Sequence, residues 1–346
     1  MDPLTQGTVG AVAALCVARP GELRAAAAAG FGAGLLADVD VFIRSARDPL
    51  LFLEFHRQFT HSLVFVPIGG ALAAGLLWPL LRRHLPLLRL LLFCTLGYAT
   101  HGLLDACTTY GTQLLWPFSD RRIAWSVVSV VDPGFTLPVL ALLGVALAKR
   151  SPAWGRVALA VALAYLSLGW VQRERAEALL ARVAAEHGHA IVRGGAKPSF
   201  GNIFLWRGVW ESEGTAPEGN ALHVVALRPG LLGPDRTSAV ASAAPFVLER
   251  DLPALRPEDR QARDVARFAH FSAGWLVRLP ADHGVFVGDL RYALLPDRVD
   301  PLWGLQLDPE RPHAHVEYVT RRARTPQTLA RFRCMVTGAC LTPLAR

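Results

Sequence analysis

The chain has 346 residues, 52% of them hydrophobic, a mean hydropathy of +0.30 and a formal net charge of +8. That hydrophobic share is high for a soluble protein, and it is concentrated in residues 1–172, between short basic interruptions. The positive charge does not indicate a nucleic-acid partner, because many arginines flank apolar runs and no recognition-helix or RNA-binding pattern accompanies them.

The chain starts Met1-Asp2-Pro3-Leu4, without the basic stretch and small-residue site of a cleaved signal, so its N-terminus is expected to be retained. Thr8 to Ala18 is a short apolar segment. Ala25 to Ile43 is a second, rich in Ala and Gly and interrupted by Asp38 and Asp40. Before Asp38 it has fewer apolar residues than the ~20 of a straight span. These two segments read either as full helices or as a re-entrant hairpin. Small residues such as Gly30, Gly32 and Gly34 permit close helix packing.

A polar connection, 44–61, carries His56, Arg57 and His61. Ser62 to Leu81 and Leu85 to Ala106 read as spanning helices, the latter with His101 and Asp105 near its end. His101 and Asp105 are four apart and so point to one side of a helix. A second polar connection, 108–132, holds Trp116, Phe118 and Trp125, which suit headgroup depth. Pro133 to Ala148 and Trp154 to Val171 are further apolar segments.

From Arg173 the composition becomes that of a water-soluble domain. Arg173 to His187 has amphipathic helical spacing; Ala221 to Leu227, Gly274 to Leu279, Val285 to Leu290 and His315 to Val319 read as strands. The expected fold class is an α-helical polytopic membrane domain over residues 1–172, followed by a soluble α+β domain over 173–346. Cys16, Cys94 and Cys107 read as small buried hydrophobes. Cys334 and Cys340 close a short loop, and a disulfide there requires an oxidising compartment.

Alternation of the apolar segments puts Asp38 and Asp40, His56 and His61, and His101 and Asp105 on one face of the membrane. Carboxylates and imidazoles are ligands for Zn, Mn or Fe, and ionisable groups at membrane depth are costly enough to mark function. Six such residues exceed the three that one catalytic zinc usually takes from protein, so two divalent ions, zinc first, are the natural count, with one ion the smaller alternative. Arg57 is the candidate catalytic residue, holding an anionic substrate group bidentately; the alternative for it is a headgroup contact. Thr60 and Ser62 are read as helix N-caps in preference to donors that orient the ligands. Arg19, Arg24, Arg82, Arg83, Arg89, Lys149, Arg150 and Arg156 fall in alternate short loops, which are expected to be cytoplasmic. The polar cluster and the C-terminal domain are then expected on the outer side.

The runs Met-Asp-Pro-Leu-Thr at the start, Gly34-Leu-Leu-Ala-Asp38-Val-Asp40, His56-Arg-Gln-Phe-Thr-His61-Ser62 and His101-Gly-Leu-Leu-Asp105 resemble the bacterial inner-membrane, metal-dependent hydrolases of the YdjM/YbcI type, over roughly residues 1–172. The layout is also distantly similar to zinc-dependent phospholipase C and P1-type nucleases. The resemblance implies metal ligands at Asp38, Asp40, His56, His61, His101 and Asp105 and a location in the bacterial inner membrane. One departure is Gln6, where the family often has a His, since Gln is a poor metal ligand. The expected function is hydrolysis of a phosphoester or lipid-linked substrate by a metal-activated water, with membrane lipid as partner and no nucleic acid. The alternatives are a transporter or ion-handling protein using the same cluster, and a non-catalytic membrane scaffold.

Overall fold

The structure is a computed structural model that describes residues 1–214, 220–231, 233–281, 283–322 and 324–344. The chain divides into two compact units. Met1–Ile43, Phe55–Val171 and Phe200–Ile203 form the first; Arg44–Glu54, Gln172–Ser199 and Phe204–Arg346 form the second.

The first unit is helical. Its elements are α1 (Pro3–Cys16), α2 (Leu23–Leu36), a 3-10 helix (Ala37–Phe42), α4 (Val66–Leu81), α5 (Leu87–Ala106), α6 (Pro133–Ala148) and the first part of α7 (Pro152–Glu186). The short α3 (Leu51–Phe55) lies between the 3-10 helix and α4 in sequence. Among the described residues, four helical stretches are long and apolar enough to cross a membrane: Leu23–Phe42, Leu63–Leu81, Leu87–Ala106 and Pro152–Glu186. α1, at 14 residues, is only about 21 Å long, short of a ~30 Å hydrocarbon core. It is capped by Asp2, which accepts from the Thr5 amide at 3.0 Å, with Pro3 in the first turn.

Glycine lets α1, α2 and α5 approach closely. A Cβ on Gly30 would lie 2.3 Å from the Gly10 carbonyl oxygen and 2.8 Å from the Ala14 Cβ. One on Gly97 would lie 2.4 Å from the Gly30 carbonyl oxygen. Gly34 meets Gln6 while Gly30 meets Gly10, so α1 and α2 run antiparallel. Alanines fill the rest of the contact: Ala11 and Ala14 on α1, Ala26, Ala29 and Ala33 on α2, with Leu90, Phe93 and Cys94 of α5. This dense packing replaces hydrophobic drive, which is weak between helices in lipid.

The second unit is α+β. Its strands are β1 (Ile191–Pro198), β2 (Trp206–Ser212), β3 (Ala221–Arg228), β4 (Arg236–Thr237), β5 (Ala241–Ala243), β6 (Leu276–Leu279), β7 (Val285–Asp289), β8 (Trp303–Leu307), β9 (Glu317–Thr320) and β10 (Thr342–Pro343). One sheet has the order β1-β2-β3-β4-β10, with β5 also on β3; the other is β6-β7-β8-β9, and all pairs are antiparallel. Three further helices are α8 (Leu248–Asp251), α9 (Arg260–Phe271) and α10 (Pro326–Thr337). Cys334 and Cys340 form a disulfide, with Cα atoms 5.4 Å apart.

Some elements depart from the sequence reading. Trp154 to Val171 and Arg173 to His187 form one continuous 35-residue helix, α7, since neither proline nor a turn separates them. Strands β1, β2, β4, β5, β8 and β10 lie outside the four runs that read as strands; β4, β5 and β10 are only two or three residues long, and Gly194, Gly195 and Pro198 break the strand pattern of β1.

Replacing Gly30 by Ala forces a methyl into backbone. Gly30→Ala is expected to lower stability by about 1–3 kcal/mol, read as an earlier unfolding midpoint of the detergent-solubilised protein.

Candidate metal centre

Asp38 and Asp40 enter the site from the 3-10 helix. Side chains three apart eclipse in such a helix, and burial follows that period: Ala37 and Asp40 are buried, Asp38 and Val41 half-buried, Val39 and Phe42 exposed. The two carboxylates therefore face different ways. Asp40 turns inward. Its Oδ1 meets His56 Nδ1 at 2.7 Å, and its Oδ2 accepts from the Arg57 amide at 2.9 Å and the Thr60 hydroxyl at 2.8 Å.

The His56–His61 turn is folded around those bonds. Arg57 has φ of 63°, in the left-handed region that a non-glycine residue rarely adopts. Its amide is held by Asp40 and its carbonyl accepts from the Gln113 amide at 3.0 Å, which fixes the turn. The Arg57 guanidinium is buried. Its Nε lies 3.2 Å from Asp105 Oδ2, its Nη1 donates to Thr108 Oγ1 at 3.1 Å, and it lies over the Tyr110 ring. His61 Nδ1 lies 2.9 Å from Thr60 Oγ1 and 3.2 Å from Asp40 Oδ2. An imidazole N–H held from behind by a hydroxyl and a carboxylate leaves its other nitrogen free as a lone-pair donor.

α5 supplies the other side. His101 Nδ1 meets the Gly34 carbonyl at 2.6 Å, so its Nε2 carries the lone pair. This bond depends on the close α2–α5 approach. Asp105, one turn on, accepts at Oδ1 from Gln6 Nε2 at 3.0 Å and from the Met1 amine. Gly102 lies between them, and a Cβ there would sit 2.3 Å from the His61 carbonyl oxygen.

Four atoms converge. Asp38 Oδ1 is 3.5 Å from His61 Nε2 and 3.3 Å from His101 Nε2; Asp105 Oδ2 is 3.2 Å and 3.7 Å from the same two nitrogens. Two ligands each ~2.1 Å from a tetrahedral ion stand about 3.4 Å apart, so these separations match the edges of such a shell. His61 Nε2, His101 Nε2 and Asp105 Oδ2 are buried with no hydrogen-bond partner, a costly state unless something binds them. Burial opposes a charge on His61, but the carboxylates of Asp105, Asp38 and Asp40 outweigh it and raise its pKa to about 10. The pocket thus draws positive charge, which a divalent cation would supply in place of a proton on His61. The residues present fit a metal ion.

Asp38, Asp40 and His56 make a second group with ligand atoms within 4.8 Å of one another. There His56 Nδ1 and Asp40 Oδ1 are already bonded to each other, so the better fit is to one ion in the first group. The structure brings all six predicted residues and Arg57 together, but in two layers.

Some contributors were not singled out as partners by the sequence. Gln6 orients Asp105, Thr108 holds Arg57, and the Tyr98 hydroxyl donates to the Thr60 carbonyl at 2.6 Å. Tyr98 lies one turn before His101, a spacing that offered a signal. Ser62 caps the turn leading into α4, its hydroxyl accepting from the Phe65 amide at 3.3 Å, as expected. Thr60 does not cap a helix, because its hydroxyl is taken by Asp40 and His61.

Residues 1–176 match the model of the YdjM inner membrane protein family. The chain belongs to this family. It is similar to the uncharacterized protein YfhP of Bacillus subtilis (strain 168), 28% identical over 115 residues, covering 33% of this chain and 35% of that one. It is also similar to the inner membrane protein YbcI of Escherichia coli (strain K12), 42% identical over 81 residues, covering 22% of this chain and 44% of that one. The chain thus spans less than half the length of these curated relatives. No solved structure matches it. Family membership and the apolar helices support an inner-membrane location for the protein.

Gly102→Ala should push the His61 backbone out of place. The expected result is loss of most bound metal by elemental analysis of the purified protein, with helical content by circular dichroism retained.

Proposed function

We propose that this protein is a membrane-bound, metal-dependent hydrolase of a phosphoester or lipid-linked substrate. The observation that carries the reading is the set of three orphaned, buried ligand atoms meeting Asp38, at the ends of apolar helices. Asp38, His61, His101 and Asp105 hold the ion, proposed as zinc, and Asp40 holds His61. Bound there, a divalent cation supplies Lewis-acid polarisation and an activated water.

The protein's own groups do the rest. Side-chain exposure is 24% for Asp38 and 32% for His56, against none for His61, His101 and Asp105. The open side therefore lies by Asp38 and His56. His56, bonded through Nδ1 to Asp40, keeps Nε2 to accept and return a proton. Arg57 braces Asp105 through Nε and is proposed to hold an anionic group of the substrate with its remaining donor edge. Exposed Val39 and Phe42 stand on the same 3-10 helix as Asp38, which suits a substrate with an apolar part.

The site and the α+β domain are proposed to face the periplasm. The alternation of basic loops supports this, and so does the Cys334–Cys340 disulfide. A tag placed after Arg346 is expected to react with membrane-impermeant reagent in intact spheroplasts; labelling only after lysis would reverse the orientation.

Purified protein is expected to carry metal and to hydrolyse a member of a phosphoester and phospholipid panel. His101→Ala and Asp105→Ala should each abolish both. Arg57→Ala should raise KM about tenfold or more, from the loss of a charge-assisted pair, and should weaken metal binding through Asp105 without abolishing it. Metal-replete protein that hydrolyses nothing in the panel but moves ions into liposomes would replace this reading with that of a transporter.

A further inference from the structure

Residues 44–54 join Asp38 and Asp40 to His56, yet they pack with the α+β unit. One residue of α9 gathers them. Arg267 donates from Nη1 and Nη2 to the two oxygens of Asp48, at 3.0 and 2.9 Å, and from Nε to Glu54 at 2.6 Å. Its Nη1 also meets Asp264 Oδ1 at 3.1 Å. Asp264 is itself fixed by His315 Nδ1 at 2.7 Å and the Val316 amide at 3.3 Å. The Phe52 ring stands edge-on to Tyr318, with centroids 5.1 Å apart, and Leu50 and Leu53 are buried. Burial pushes the Asp48 pKa up, but the Arg267 guanidinium more than offsets this and holds it below the usual carboxylate range.

A bidentate grip on Asp48 with a further bond to Glu54 is a geometric clamp that lysine cannot reproduce. It anchors the connection near its middle and at its end. That connection separates Asp40 from His56 and Arg57, which must meet for the inward layer of the site to form. A free connection would have to be ordered each time those bonds formed, at an entropic cost. Anchored, it delivers the 3-10 helix and the His56–His61 turn already spaced.

We propose that Arg267 is a positioning residue for the metal centre: by clasping Asp48 and Glu54, the α+β unit presets the distance between the two ligand-bearing turns and so sets the metal affinity of the helical unit. This rests on the reading of Asp38, His61, His101 and Asp105 as a metal site. The role is remote, since Arg267 contacts none of the four, and it assigns the α+β unit a task in the chemistry of the other unit through a covalent tether.

The test is zinc competition against a graded chelator, on the full-length protein in detergent, for wild type, Arg267→Ala, Arg267→Lys, the charge-exchanged pair Asp48→Arg with Arg267→Asp, and His101→Ala. Circular dichroism and the thermal midpoint accompany each. Arg267→Ala is expected to weaken zinc binding about tenfold, the scale seen when groups supporting metal ligands are removed, with helical content unchanged. Arg267→Lys should fall between it and wild type, and the exchanged pair should recover part of the loss. Trypsin should cut after Arg44 and Arg47 faster in Arg267→Ala. Were Arg267→Ala to fold poorly, the isosteric Asp48→Asn supplies the reading, with a smaller loss of affinity expected. Wild-type affinity in a folded Arg267→Ala or Asp48→Asn protein overturns the positioning role and leaves the metal site standing. Wild type that binds zinc no better than His101→Ala removes the metal site, and the positioning role with it.

Discussion

Three carboxylates, Asp38, Asp40 and Asp105, are packed beside two imidazoles at the ends of apolar helices. Leaving such charges without partners is among the most expensive things a protein can do. Much of the surrounding structure is explained by the partners it supplies. Arg57 adopts a strained left-handed backbone to put its amide on Asp40 and its guanidinium on Asp105. Gln6 reaches from α1 to Asp105, and Thr60 bridges Asp40 to His61. After all these contacts one oxygen, which has the Arg57 ion pair but no hydrogen bond, and two imidazole nitrogens without a hydrogen bond still face each other, and that unmet demand is what a cation would answer.

Helix packing and site geometry are the same fact seen at two scales. The Gly30 contact brings α5 against α2, and one turn further along both helices the gap is spanned by His101 Nδ1 and the Gly34 carbonyl. A larger residue at Gly30 or Gly97 would separate the helices and break that bond. The imidazole would then be free to rotate, and Nε2 would lose its direction. Gly102 does the same for the other imidazole, since it lets the His61 backbone sit against α5. The glycines and alanines of the sequence are therefore part of how the polar residues are aimed.

The convergence of the polar residues was legible in the sequence, because apolar segments alternate across a membrane and so set which ends share a face. Their division into layers was not. Asp38 and Asp40 are two apart, and whether they point together or apart depends on the local helix type. The three-residue period of a 3-10 helix turns Asp40 inward and leaves Asp38 at the rim. Composition likewise marked the change near residue 172, but it could not show that 44–54 pack with the α+β unit, or Phe200–Ile203 with the helical one. Asp48 and Glu54 look like ordinary solvated charges until Arg267, more than two hundred positions later, is brought to them. Long-range pairs of this kind leave no local pattern.

A four-atom shell closes a tetrahedral ion, whereas hydrolysis needs a place for water. Asp38 differs from the other three in the way this requires. Both imidazoles are fixed by hydrogen bonds on their far nitrogens, and Asp105 is held through Oδ1 and by Arg57. Asp38 has contacts to the facing imidazoles and one partly open side. On the proposed hydrolase reading it is therefore the residue of the four with room to move, and His56 stands beside the same opening. Three side chains anchored from behind and one at the rim would suit the proposed site, which must hold an ion and stay open on one side; four anchored side chains would leave no such opening.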